Sequence, residues 1–192
     1  MTKILFAALA ASTLVVPAAA SAQALAAPVI AVVNIPRVQT QCNACKTALT
    51  QLESQLAGLR TLQTTLETPL RTENTALQAA GRALNGRAPD AALQARATAF
   101  ETKTRDAQRQ LAAREETFQR NRAYVLQQIN TKLEPAVASV FTRRGASVML
   151  DASTVLRSAP GLDVTNDVLA ALNASLTSIA TTAPAQAAPA RR

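Results

Sequence analysis

One apolar stripe in the sequence is too long for a compact fold of this size. From Cys42 to Leu84, apolar residues recur at alternating steps of three and four, and Gln63 and Glu73 are the polar members. A β-strand cannot use this spacing because its side chains alternate every two residues, whereas an α-helix places such residues on one face. The helix would be roughly 65 Å long, and a mean step of 3.5 favours left-handed coiling against a second helix. Its members are Cys42, Cys45, Leu49, Leu52, Leu56, Leu59, Gln63, Leu66, Leu70, Glu73, Leu77, Ala80 and Leu84.

The partner of this helix is expected directly after it in the chain. Gly86 can adopt the left-handed conformation that ends a helix, and Pro89 disfavours helical geometry at the residue before it. A second long helical pattern then covers about residues 90–142. Because a short loop between two long helices favours antiparallel neighbours, we predict a helical hairpin over residues 42–142 with its tip at about 85–90.

The segments before and after this hairpin have the composition of strands and one short helix. Residues 29–34 form a β-branched run between two prolines, residues 146–151 read as a second strand, and residues 153–156 read as a third. Thr165 is predicted to cap a final helix that ends near Ile179. Residues 23–41 and 143–180 would thus form a small β body. The fold class is α+β, mostly α.

So few strands make a sheet that is too small to be stable alone. We therefore expect several copies of the chain to associate and build a shared body.

Both ends of the chain are predicted to lie outside the folded unit. Residues 1–22 carry Lys3, an apolar run too short to span a bilayer and an Ala20-Ser21-Ala22 cleavage pattern, which together are typical of an export signal peptide. Residues 181–192 are rich in Ala and Pro and are predicted to be a disordered tail.

The charge balance indicates an anionic partner, and the missing residue types argue against catalysis. Lys and Arg number 20 against 12 Asp and Glu, giving a net charge of +8, and the sequence contains no His. The commonest general base and metal ligand are therefore missing, and no carboxylate pair or phosphate loop is present. We expect no enzymatic activity, no cofactor and no metal. Nucleic acid is not an expected partner because stacking aromatics are scarce and the chain is exported.

Candidate binding residues lie on the predicted hairpin. Arg82 and Arg87 flank its tip, and the return helix carries Arg105, Arg109 and several further cations. They can be read as an attractive positive surface or as a solvated helix face. Four apolar residues of the return helix are less regularly spaced, and they can be read either as part of the contact between the two helices or as facing a cavity. These residues are Phe100, Phe118, Tyr124 and Leu126.

The Cys42-x-x-Cys45 pair has three interpretations. It resembles a thioredoxin-type redox motif, but that motif needs a βαβ context and a lowered thiol pKa. Because the pair continues the apolar stripe, it can instead be structural, as small apolar residues or as a disulfide within the chain. A disulfide between chains is the third interpretation, because stripe residues face a partner.

Four segments follow the predicted export signal in order: Ile30-Ala31-Val32-Val33-Asn34, the long hairpin, Val148-Met149-Leu150-Asp151-Ala152-Ser153-Thr154-Val155 and Leu162-Asp163-Val164-Thr165-Asn166-Asp167-Val168-Leu169. In the order of these segments, the chain resembles the Skp/OmpH family of periplasmic chaperones. The resemblance implies a homotrimer whose coiled-coil arms enclose a cavity. It implies ATP-independent holding of unfolded outer-membrane proteins in the periplasm. Anionic membrane surfaces or lipopolysaccharide are further expected partners, and a structural adaptor or spacer of the cell envelope is the alternative function.

Overall fold

The computed structural model of the chain describes residues 27–185, which are mostly helical with one pair of strands. The predicted α+β, mostly α class is confirmed. No helix in this part of the chain is both long and apolar enough to cross a membrane. The predicted signal peptide, residues 1–22, lies outside the described residues, as do residues 186–192. The elements are β1 (Ile30–Val33), α1 (Ile35–Gln41), α2 (Asn43–Ala83), α3 (Ala91–Arg143), β2 (Val148–Asp151) and α4 (Thr165–Ser175).

Two long helices, α2 with 41 residues and α3 with 53, dominate the structure. Pro69 lies inside α2 and Pro135 inside α3 without ending either helix. The two helices contact each other. Gln55 near the start of α2 bonds to Asn121 of α3, whereas Glu73 near the end of α2 pairs with Arg96 near the start of α3.

The predicted apolar stripe of α2 agrees with the observed burial of its side chains except near the centre of the stripe. Leu59, Leu66 and Leu70 are half-buried, as the heptad pattern predicts. Gln63 is exposed and donates to Glu67, while the neighbouring Leu62 is half-buried in its place. An α-helix has 3.6 residues per turn, so a strict 3.5-residue pattern drifts around the helix by about 20° per heptad.

The ends of the long helices follow local sequence signals. In the connection at 84–90, Asn85 and Gly86 adopt positive φ values of 46° and 86°. At the other end of α3, Gly145 has φ 59°, and its N–H donates to Thr142 O while the Ala146 N–H donates to Phe141 O. This pair of bonds is the Schellman motif, which uses the last free carbonyls of the helix.

The two strands pair in parallel, from Ile30 opposite Val148 to Val33 opposite Asp151. The predicted third strand at 153–156 is wrong. Residues 152–154 form a 3₁₀ turn instead, because Asp151 Oδ1 accepts the Ser153 N–H at 2.7 Å and a further local bond closes the turn. Such local side-chain bonds compete with sheet pairing.

The hydrophobic core lies where the bases of α2 and α3 meet α1, β1 and α4. Val38, Ile129, Val140 and Leu172 are among its fully buried side chains. Helices therefore supply most of the core within a single chain, and the two-stranded sheet contributes only part of it.

The cap of α4 differs from the prediction. Val164 is the N-cap, and Thr165 is the first residue of the helix. The Thr165 side chain is buried and its hydroxyl accepts the Asn34 N–H at 2.9 Å, so it joins the start of α1 to the start of α4. Asn34 in turn caps α1 by accepting the Arg37 N–H.

The segment after α4 returns along the long helices. The sequence assigned residues 181–192 to a disordered tail, but residues 181–185 have a defined position on α2 and α3. Thr181 and Ala183 form hydrogen bonds to side chains of these helices. Composition alone could not reveal this because the partners lie more than fifty residues away in sequence.

Candidate functional site

The predicted cations at the connection between the long helices are exposed. Arg82 lies in the last turn of α2, and Arg87 lies in the connection, where its Nε donates to Leu84 O at 3.2 Å. Neither residue forms an ion pair within the described part of the chain. Their charge is therefore directed to solvent and available to an anionic partner.

Further along α3, the predicted cations differ in how far their charges are offset. Arg105 is exposed and donates to the Thr102 hydroxyl at 3.2 Å, which leaves its charge uncompensated. Arg109 instead pairs with Asp106, one turn before it. Over its whole length α3 carries nine Lys and Arg residues against five Asp and Glu, so this helix carries a positive excess.

The two predicted phenylalanines are half-buried and lie far apart. Phe100 borders a shallow recess with Leu70 of α2, and Phe118 lies beside the core at the base of the long helices. They are eighteen residues apart on one helix, which is roughly 27 Å. The structure therefore spreads the predicted residues along α3 and does not gather them into one compact pocket.

An apolar recess at the base of the long helices brings residues of the α2 stripe together with residues of α3 that the sequence could not assign to them. Its volume is about 270 Å³, and Phe118 lines it with Leu126, which is 42% exposed. Leu49, Leu52 and Leu56 form the α2 side of the recess. Leu126 departs from the apolar spacing of α3, and this departure is the sequence signal for its position.

Along the outer part of the long helices the interface is thin. No residue from 53 to 120, all of which are described, is fully buried. Glu73 bonds to the Arg96 guanidinium at 2.6 and 3.0 Å, and this hydrogen bond lowers the pKa of Glu73 and raises the pKa of Arg96. Glu73, a polar member of the predicted stripe, thus serves to join the two helices.

Cys42 and Cys45 are joined by a disulfide within the chain, with their Cα atoms 5.0 Å apart. Cys42 has an extended main chain between α1 and α2, and its Sγ accepts the Cys45 N–H at 3.0 Å as the N-cap of α2. Both side chains are fully buried. This geometry does not suit rapid thiol exchange, which requires an accessible sulfur.

Within residues 27–185, no group of three or more His, Cys, Asp or Glu side chains is placed to hold a metal ion. The features with functional character are surfaces: the excess of cations along α3, the thin interface of the outer long helices, and the recesses at their base.

Comparison with known proteins gives consistent matches. The family model described as "Outer membrane protein (OmpH-like)" matches residues 29–172. The chain is 32% identical over 165 residues to "Chaperone protein Skp" of Yersinia enterocolitica, and the alignment covers 84% of this chain and 95% of that relative. The crystal structure of an OmpH-like protein from Caulobacter crescentus CB15 is similar with a TM-score of 0.66 at 23% identity, covering 82% of this chain and 90% of that one.

Proposed function

The chain belongs to the Skp/OmpH family, and on this premise we propose that it is a periplasmic chaperone that holds unfolded outer-membrane proteins without ATP. The Yersinia relative is named a chaperone, and the family model carries the outer-membrane description. In this proposal α2 and α3 form an antiparallel hairpin arm, and unfolded clients bind between the arms of several copies.

The observation that carries the proposal is the exposure of apolar and basic side chains along α2 and α3. Residues 53–120 leave their apolar stripe only half-covered within one chain. A half-covered stripe offers many weak apolar contacts, each proportional to the area that it buries. Such contacts suit a chain that must be bound without a fixed structure and later released.

The positive charge supplies the long-range part of the attraction. Arg82, Arg87 and Arg105 are exposed and have no carboxylate partner among the described residues. Opposite charge raises the rate of encounter with an acidic client or an anionic lipid surface, and salt weakens this effect.

We propose that three copies assemble through the sheet. Ile30 of β1 and Val148 and Leu150 of β2 are each more than a third exposed, and Leu156, five residues after β2, is 99% exposed. Apolar residues grouped at the sheet of one chain are typical of surfaces that bind another chain. A trimer built there would place the three arms around a common cavity.

The proposal is tested by adding the purified protein to an unfolded outer-membrane β-barrel protein and following light scattering at rising salt. We expect suppressed aggregation at low salt and weaker suppression at high salt. The variant Arg82→Glu with Arg87→Glu should lose most of the salt-sensitive part. The matched control, Lys46→Glu with Arg143→Glu, changes the charge equally at the other end of the long helices and should keep it.

Solution mass and shape provide the second test. A compact monomer under conditions in which aggregation is suppressed would overturn the trimer. Equal suppression by the two charge variants would overturn the electrostatic part. Capture of one folded partner in fixed stoichiometry, without unfolded clients, would favour the structural adaptor instead.

A further inference from the structure

Four side-chain amides at the base of the long helices form an array, and three of them bond to main-chain groups of one segment. Gln51 and Gln55 belong to α2, and Asn121 and Gln128 belong to α3. We call these four residues the amide groove. Residues 176–185, which we call the tail segment, follow α4 and bond to all four.

Gln128 pairs with both main-chain groups of one residue. Its Nε2 donates to Ala180 O at 2.8 Å, and its Oε1 accepts the Ala180 N–H at 3.0 Å. A neighbouring β-strand uses the same donor and acceptor pair when it reads a peptide edge. Gln128 therefore recognises main-chain groups and not the side chain.

The other amides continue this pattern along the tail segment. Gln55 Nε2 donates to Thr181 O at 3.0 Å, and Asn121 Oδ1 accepts the Ala183 N–H at 2.9 Å. Asn121 Nδ2 also donates to Gln55 Oε1 at 2.9 Å, which fixes the orientation of both amides. The contact of the Thr181 hydroxyl with Gln51 Oε1, at 2.7 Å, is the one bond here to a side chain of the tail segment.

The burial pattern also allows other sequences in the groove. Ala180 and Thr182 are exposed, whereas Thr181 and Ala183 are half-buried. Exposed positions tolerate any side chain. Residues 180–185 contribute no side chain to the hydrophobic core, so they can leave the groove without opening that core.

A cavity lies directly beside Thr182 and extends the groove. Its volume is about 270 Å³, and Leu59, Arg114 and Phe118 are among its lining residues. A cavity of roughly 150 Å³ can admit a benzene ring. This one therefore has room for a leucine or an aromatic side chain, beside a guanidinium that favours an acidic neighbour.

We propose that the amide groove is a binding site for unfolded polypeptide, and that residues 180–183 occupy it in cis as an internal competitor. This inference rests on the proposed function, because it names where a client segment is bound. Main-chain recognition suits clients that share no sequence. The adjoining cavity would select segments that place a large apolar side chain next to the bound peptide units.

Tethering makes the internal competitor effective but displaceable. Only residues 176–179 separate Ala180 from the end of α4. A short linker of this kind gives an effective concentration on the order of millimolar. A long unfolded client that also contacts the arms can displace the tail segment, whereas a short peptide cannot.

The test compares the full chain with a variant that ends at Ile179. The probe is a fluorescein-labelled peptide of residues 176–185. We expect the shortened variant to bind this peptide at least tenfold more tightly than the full chain does. It should also bind an unfolded outer-membrane protein several-fold more tightly. A peptide N-methylated at Ala180 and Ala183 should bind at least tenfold more weakly, because both donors are removed.

A second pair of variants keeps the chain complete. Gln128→Leu removes both bonds to Ala180, and Gln127→Leu changes an exposed neighbour that makes no side-chain bond among the described residues. Gln128→Leu should speed hydrogen exchange at Ala180 and Ala183 at least tenfold. Gln127→Leu should leave exchange unchanged, and circular dichroism should show that both variants fold.

Three results would overturn the inference: no peptide binding by the shortened variant, equal binding of the methylated peptide, or unchanged or weaker client binding after shortening. Aggregation suppression by the full chain is measured separately. The inference can therefore fail while the proposed function stands, and the reverse failure appears as a full chain that suppresses no aggregation.

Discussion

The Cys42–Cys45 disulfide offers the sharpest test of how the long helices are anchored. It closes the corner between α1 and α2, where the chain is extended at Cys42 and helical again from Asn43. Both sulfurs are fully buried in the core that also contains Val38 and Ile129. Opening the bond should therefore loosen the base of α2 and destabilise the whole core.

The size of the effect follows from the loop that the bond closes. A cross-link restricts the unfolded chain, and the restriction grows with loop length. For the four residues from Cys42 to Cys45, the chain-entropy relation gives about 2 kcal/mol at 25 °C. In a chain of this size that corresponds to a lowering of Tm by about 4–8 °C.

A matched pair of variants separates the cross-link from the helix cap. Cys42→Ser with Cys45→Ala removes the bond but keeps an acceptor for the N–H of residue 45, so it should lose only the cross-link term. Cys42→Ala with Cys45→Ala also removes the cap, and it should cost about 1 kcal/mol more. Urea unfolding at one fixed protein concentration measures both, since association would add a concentration-dependent term.

Reduction of the wild-type protein gives an independent measurement. Because a reductant reaches the buried sulfurs only when the corner opens, thiol release should be slow without urea and should accelerate as urea is added. Rapid release in native buffer would contradict the observed burial. Unchanged urea midpoints in both double variants would refute the proposed role of the bond in stability.

Three further predictions follow from single positions. Ile129→Ala should destabilise the protein by about 2–5 kcal/mol, because it opens a cavity in the core, whereas Gln127→Ala on the exposed face should change stability by less than about 0.5 kcal/mol in the same urea titration. Gly145→Ala should cost about 1 kcal/mol, because the Schellman motif requires a positive φ there; equal stability of the two proteins would contradict this. Two hydrogen bonds from Thr165 lower the pKa of Asp163 below the ordinary 3.8, and the side-chain bond has a larger effect than the main-chain bond. The resulting stabilisation is present above that value and is lost as the pH falls through the lowered pKa. The difference in urea midpoint between wild type and Asp163→Asn should therefore shrink from pH 7 to pH 2, and a constant difference would count against it.

Functional residues were harder to predict than elements. The sequence identified Arg82, Arg87 and Arg105 as exposed cations, but it could not show that Asp106 offsets Arg109. It assigned Glu73 to the apolar stripe because spacing carries no information about a partner 23 residues later. The amide groove was missed for the same reason, since each of its members is an ordinary polar residue on a long helix.

What the sequence by itself determined is local. Periodicity of side chains predicted the long helices, and Gly86 with Pro89 predicted where the first of them ends, because these preferences depend on a few adjacent residues. Only the tertiary structure decided which neighbours meet across the chain. In the folded chain Leu62, and not Gln63, is half-buried. Thr165 bonds to Asn34, and residues 181–185 lie on α2 and α3. Each outcome depends on contacts between segments that are distant in sequence. Such contacts form because buried polar groups need hydrogen-bond partners and apolar surfaces pack together, and a local sequence pattern does not predict which segments meet.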